Sequence, residues 1–118
     1  MKILSAYKNF ADKRGVLKGI INSGEWHELN YIETFAGKMR GNHYHKTTRE
    51  LFFIISGDIE VSISPIDRKK TEVYHFHKGD IFIVEPLEIH AFICKTDAQW
   101  INLLSAKIDK KNPDLYTA

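Results

Sequence analysis

Two histidines one residue apart, followed by a carboxylate five residues later, are the spacing in this chain most suited to chemistry: His43-Tyr44-His45, then Glu50, set between Gly37 and Gly57. In an extended strand successive side chains point to opposite faces, so His43 and His45 share a face and Tyr44 points away. A rise of ~3.3 Å per residue sets the two Cα atoms about 6.6 Å apart. Imidazoles leaning together from that separation can grip one metal ion or bracket one small substrate, and the pair alone leaves both open. A second His-x-His, His75 and His77, serves as a control. Its one nearby carboxylate, Asp80, belongs with Gly79 in a turn, and a bare pair has little specificity, so these residues are read as surface or rim. His27 is read as a strand-surface residue. Cys94, the single cysteine, excludes an internal disulfide and a Cys-rich zinc site. It is read as a small buried apolar residue.

These groups need a scaffold. A length of 118 residues suits a single domain over 1–118, with a polar tail from 107 to 118. The net charge of +2, with acids and bases interspersed, argues against nucleic acid and against a membrane surface, while leaving a small anionic ligand compatible. No apolar run approaches the ~18 residues of a membrane span. The first residues lack the apolar centre of a signal peptide, so a cytoplasmic location is expected.

The positioning elements are strands. Residues 1–10 carry no clear pattern, and Ile3 and Leu4 are compatible with the start of an edge strand; Asp12 to Gly15 is a turn leading into a short apolar segment. Trp26–Phe35 is rich in aromatic and β-branched residues, as a strand requires. Glu50–Ser56 is a bulky apolar run suited to burial on both faces, and Ile59–Ser64 alternates apolar and polar with period two. Further strands follow at Thr71–His77, Ile81–Val84, Ile89–Cys94 and Gln99–Leu104, separated by Gly, Asp or Pro turns. No segment keeps a helical period over three turns. The class is therefore all-β, an antiparallel sandwich or barrel. Exposed edges in so small a barrel predict a homodimer.

Gly37-x5-His43-x-His45-x4-Glu50-x6-Gly57 resembles the first motif of the cupins, and Gly79-Asp80, Pro86 and His90 resemble the second. The second motif departs from the family pattern: proline usually stands one position earlier, and glycine usually stands where Leu87 is. The motifs cover 37–57 and 79–94. The resemblance implies a small jelly-roll β-barrel. It also implies that His43, His45, Glu50 and His90 hold one divalent metal inside it. Three imidazoles and a carboxylate suit Zn, Fe, Mn, Ni or Cu, and ligand type does not choose among them.

Asp12-x-Arg14-Gly15-x-Leu17 and Arg40-Gly41-Asn42-His43-Tyr44-His45-Lys46 look, more narrowly, like the nucleotide-sugar cupins. That group includes dTDP-sugar 3,4-ketoisomerases, dTDP-4-dehydrorhamnose 3,5-epimerases and the cupin domain of a capsule-synthesis epimerase/reductase. The resemblance implies a metal-binding isomerase or epimerase of a nucleotide-linked keto-deoxysugar in surface-polysaccharide synthesis. Arg14 and Arg40 then become candidates for the substrate's diphosphate, which a planar guanidinium fits. Proton transfer beside the ketone falls to His43 or His45 in a metal-free site. With metal bound those imidazoles are ligands, and the base must be sought among Tyr31, Tyr74, His75 and His77. Two other functions compete: a metal-dependent oxygenase or isomerase of another small molecule, and a non-catalytic carbohydrate-binding or sensing cupin.

Overall fold

Twelve strands and no helix carry the chain in the computed structural model, which describes residues 1–118. They are β1 (Lys2–Leu4), β2 (Lys8–Asp12), β3 (Gly15–Gly19), β4 (Glu28–Thr34), β5 (Met39–Tyr44), β6 (Glu50–Ser56), β7 (Ile59–Pro65), β8 (Glu72–Phe76), β9 (Ile81–Val84), β10 (Glu88–Cys94), β11 (Ala98–Leu104) and β12 (Tyr116–Thr117). One five-stranded antiparallel sheet runs β1-β9-β6-β11-β4, and a second runs β12-β5-β10-β7-β8. From β4 to β7, and again from β8 to β12, the chain crosses from one sheet to the other at every connection. This is the jelly-roll winding of a cupin barrel. It brings β5 and β10 of one sheet over β6 and β11 of the other.

The alternation of β7 survives intact, with Ile59, Val61 and Ile63 buried and the residues between them partly exposed. With Phe52, Ile54, Phe76, Phe82, Val84, Phe92 and Trp100 they fill the space between the sheets. The aromatic rings pack at 5.1 Å for Phe52–Phe82 and 5.0 Å for Phe92–Trp100. Each such side chain contributes roughly 1.5–3 kcal/mol through burial. Strand β6 is covered on both faces, as its continuous apolar run requires. Phe52 and Ile54 enter the central core, while Leu51 joins Ile81 and Ile83 under Leu4, Ile20, Ile21 and Trp26. The N-terminal arm thus roofs the outer side of the first sheet.

Two features go beyond the periodicity of the sequence. Strand β5 pairs with β10 as His43↔His90 and then Gly41↔Ala91, so Asn42 is an extra residue, a β-bulge. Gly41 and Asn42 take positive φ of 88° and 64°, and a Cβ on Gly41 would stand 2.8 Å from the His90 carbonyl oxygen. Glycine permits both the dihedral and this approach. The polar tail, in turn, docks: β12 pairs with β5 through Tyr116↔Tyr44 and Thr117↔His43. No helix is long and apolar enough to cross a membrane.

Candidate metal centre

His43 stands near the end of β5, opposite His90 of β10. His45 follows just past the strand, and Glu50 opens β6 in the facing sheet. The bulge at Asn42 and the sheet crossing between His45 and Glu50 turn these side chains inward together. Ring centroids lie 5.1 Å apart for His43–His45, 4.6 Å for His43–His90 and 5.3 Å for His45–His90. One donor atom from each of His43, His45, Glu50 and His90 lies within 4.8 Å of the others. Tyr44, facing away, stacks on Tyr116 at 5.4 Å.

Hydrogen bonds fix how the imidazoles point. A carbonyl oxygen can only accept, so each ring nitrogen resting on one carries the hydrogen. His90 Nδ1–H donates to the Glu88 carbonyl at 3.0 Å, and His45 Nδ1–H donates to the Asp114 carbonyl. In both rings Nε2 is left for the centre. His45 Nε2 meets Glu50 Oε1. His90 Nε2 lies 3.3 Å from the same oxygen yet is aligned with no hydrogen-bond partner, although His90 is fully buried. A buried, unpartnered lone pair is costly in a pure hydrogen-bond network and natural for a metal ligand. The donor set therefore fits a divalent ion. Glu50 Oε2 accepts from Asn102 Nδ2 at 3.0 Å, and Asn102 Oδ1 accepts from Asn30 Nδ2 at 3.0 Å. These amides orient the carboxylate from behind.

The electrostatics point the same way. Burial and the neighbouring His90 and His45 push His43 down to about 4, so its ring is neutral at pH 7. Burial alone would raise Glu50, but the hydrogen bond to His45 and the proximity of the His90 and His45 rings outweigh it and hold the carboxyl at about 2. Burial also opposes the charge on His45, while the Glu50 carboxylate and the Asp114 carbonyl override it and raise its pKa.

Above this cluster opens a cavity of about 520 Å³, lined by His43, His45 and Glu50 on one side and by tail residues Ala106–Asp109 and Asn112–Leu115 on the other. Lys107 is the one cation lining it. The other sequence-predicted residues lie elsewhere. Tyr31 is on the outward face of β4, 56 % exposed and bonded to Glu33. His75 is exposed on the edge strand β8, opposite Glu60 of β7. His77 Nδ1 lies 2.8 Å from Asp80 Oδ2, which also accepts from the His77 backbone N–H at 2.8 Å. Tyr74 donates to Glu72 and packs against Phe76. None of the four lines the cavity. Arg14 sits at the tip of the β2–β3 hairpin, paired with Asp12 at 2.6 Å. Arg40 is tied to Thr34 Oγ1 at 2.7 Å and the Glu33 carbonyl at 2.9 Å, and neither arginine lines the cavity.

Sequence reading missed Asn102, Lys107 and Asp114. Asn102 carried a signal: it lies between Trp100 and Leu104 on the inward face of β11, where a polar side chain needs a reason. Lys107 and Asp114 carried none, because a polar tail has no periodicity to place it.

The architecture is that of a cupin barrel, and its buried histidine–carboxylate cluster has the donor atoms and spacing to hold a metal ion. Residues 10–116 match the model of the polysaccharide biosynthesis C-terminal domain, and the chain belongs to that family. No curated protein matches it by sequence. Among solved structures, the capsular polysaccharide assembling protein CapF of Staphylococcus aureus superposes with a TM-score of 0.74 at 21 % identity, covering 99 % of this chain and 32 % of that one. The chain thus spans about a third of the length of CapF. The sugar 3,4-ketoisomerase QdtA of Thermoanaerobacterium thermosaccharolyticum, in complex with TDP, gives 0.80 at 18 % identity over 97 % of this chain and 85 % of that one. The TDP-quinovose 3,4-ketoisomerase WlaRB of Campylobacter jejuni gives 0.85 at 20 % identity over 99 % and 92 %.

Proposed function

We propose that the chain is a metal-binding isomerase or epimerase of a nucleotide-linked keto-deoxysugar, acting in surface-polysaccharide biosynthesis. The observation that carries this is the convergence of His43, His45, Glu50 and His90 beside a substrate-sized cavity, in a chain of a polysaccharide-biosynthesis family. The structural likeness to sugar ketoisomerases supports it. His43, His45, Glu50 and His90 would hold the ion, which supplies Lewis-acid polarisation of a substrate carbonyl. The chain's own residues supply the rest. Asn102 and Asn30 keep Glu50 oriented, and tail residues form one wall of the cavity. Lys107 offers the cavity its positive charge for a diphosphate or a developing enolate.

A homodimer is part of this proposal. Strand β4 is an unpaired sheet edge, and it carries exposed Leu29 and Tyr31, with Phe35 just beyond it. The β2–β3 hairpin stands as a separate two-stranded sheet with Phe10, Val16 and Leu17 exposed. Covering such edges with a second copy removes unpaired backbone groups from water. Arg14, on that hairpin, then serves substrate binding only across copies. Light scattering at micromolar concentration should give twice the chain mass; a monomer would remove this part.

The reaction is tested by incubating the metal-loaded protein with dTDP-4-keto-6-deoxyglucose in heavy water. Deuterium at C3 with formation of an isomeric ketosugar is expected. No exchange and no product across a panel of nucleotide-linked ketosugars would overturn the catalytic reading and favour a sugar-binding module.

A further inference from the structure

In the loop between two of the candidate ligands, three successive residues, Lys46, Thr47 and Thr48, are held by one residue of the tail. Asp114 Oδ1 accepts from the Lys46 N–H at 2.8 Å. Its Oδ2 accepts from the backbone N–H and hydroxyl of Thr47 at 2.8 and 2.9 Å, and from the same two groups of Thr48 at 2.8 and 2.9 Å. Successive backbone N–H groups converging on one anion form a nest, and this one is filled from within the chain. The backbone carbonyl of the same Asp114 accepts from His45 Nδ1. A single residue therefore meets both the ring of His45 and the first three residues of the loop that leads to Glu50, while Ser105 Oγ accepts from the N–H of Arg49 at the loop's far end at 2.8 Å.

We propose that Asp114 is a positioning residue of the metal centre, anchoring the C-terminal tail so that its carbonyl holds His45 ready to coordinate through Nε2. This rests on the metal clause of the function proposed above. A free imidazole exchanges its proton between Nδ1 and Nε2; a carbonyl at Nδ1 removes the tautomer in which Nε2 is blocked. The rest of the tail is laid across both sheets to bring that carbonyl into place. The Ile108 N–H bonds Glu28 Oε1 of β4 at 3.1 Å, and the Ala118 N–H bonds the Asn42 carbonyl of β5 at 3.2 Å. The Lys46 ammonium sits 4.2 Å from the centre of the Tyr116 ring. Removal of the anchor frees the carbonyl without touching any ligand atom.

The test uses the full chain, wild type against Asp114→Ala and Asp114→Asn. Zinc affinity is measured by chelator competition at neutral pH, and exchange of the His45 Nδ1–H proton by NMR. Outer-sphere partners of metal-bound histidine are typically worth 10–100-fold in affinity. Asp114→Ala should weaken zinc binding by about that factor and lose the slowly exchanging proton signal. Asp114→Asn, which keeps a side-chain acceptor, should fall between it and the wild type. Affinity within about twofold of wild type, or a proton signal that persists in Asp114→Ala, would overturn the proposal. Should Asp114→Ala fail to fold, Asp114→Asn decides by the same two readouts. A wild type that binds no zinc overturns the metal reading itself, and the proton signal then still reports whether Asp114 holds His45.

Discussion

The chain carries two His-x-His pairs at the ends of strands in its second sheet, and they have opposite fates. His43 and His45 converge on His90 and Glu50, with His45 and His90 buried; His75 and His77 are exposed. The pairs themselves do not differ in chemistry. Their neighbours do. Strand β5 lies beside β10, which supplies His90, and the chain then crosses to β6, which supplies Glu50. Strand β8 is the edge of its sheet, so its one neighbour is β7, which sets Glu60 opposite His75. An alternating histidine pair becomes a site only where neighbouring strands deliver the remaining ligands to the same end of the barrel.

The sharpest break of this comparison is by deletion. His45→Ala and His90→Ala should each abolish retention of a stoichiometric metal through gel filtration, read by elemental analysis. His75→Ala with His77→Ala should leave it unchanged. Metal lost from the His75/His77 double variant, or retained by either of the two single variants, would mean that the buried cluster is not the centre. A smaller effect is expected one shell out. Asn102→Leu removes the hydrogen bond to Glu50 Oε2 while keeping the side-chain bulk, and should weaken metal binding about 10–100-fold with the fold intact. Equal affinity would reduce Asn102 to a packing role.

With metal removed, the His43 ring should stay neutral from pH 8 to pH 5 and titrate near 4, read from its C2 proton in NMR. The unfolded chain binds that proton near pH 6.5, so this group costs stability as pH falls from about 6.5 toward its folded value. A His43 midpoint at 6 or above would show that the ring is solvated rather than enclosed.

Much of the architecture was legible because strands advertise themselves by period and punctuation. The β7 alternation, the doubly covered β6 and the turns at Gly57 and Gly79 follow from residue type and short-range sterics. The ligand cluster was legible for a different reason: its motif spacing resembles a family in which crossing strands bring those positions together. What was not legible depends on contacts far apart in sequence. Asp114 meets Lys46 across 68 residues, and no local pattern marks it as their partner. The arginines lie outside the cavity, and each has partners nearby, Arg14 in Asp12 and Arg40 in Glu33 and Thr34. Tyr31 and His75 lie away from the cavity by strand parity, each on the outward face one residue from a more buried one.

The last difference between the two regions is in their turns. After the His75–His77 strand the chain turns through Gly79, at a φ of 90° that glycine adopts freely. The turn before His90 passes through Leu87 at a φ of 67°, where a side chain costs roughly 1–2 kcal/mol. That conformation is kept because the Leu87 N–H donates to the His45 carbonyl at 2.7 Å, tying the second motif to the first. The side chain contributes little in return, being 48 % exposed. Leu87→Gly should therefore relieve the dihedral and lose little burial, against an unfolded-state entropy cost of ~0.5–1 kcal/mol. A net gain of about 0.5 kcal/mol corresponds to a Tm higher by about 2–4 °C in a domain of this size. Because the bond to His45 is made by the backbone, metal affinity should stay within about twofold. A lower Tm would mean that the Leu87 side chain, and not its backbone, holds this turn against the strand that leads to His45.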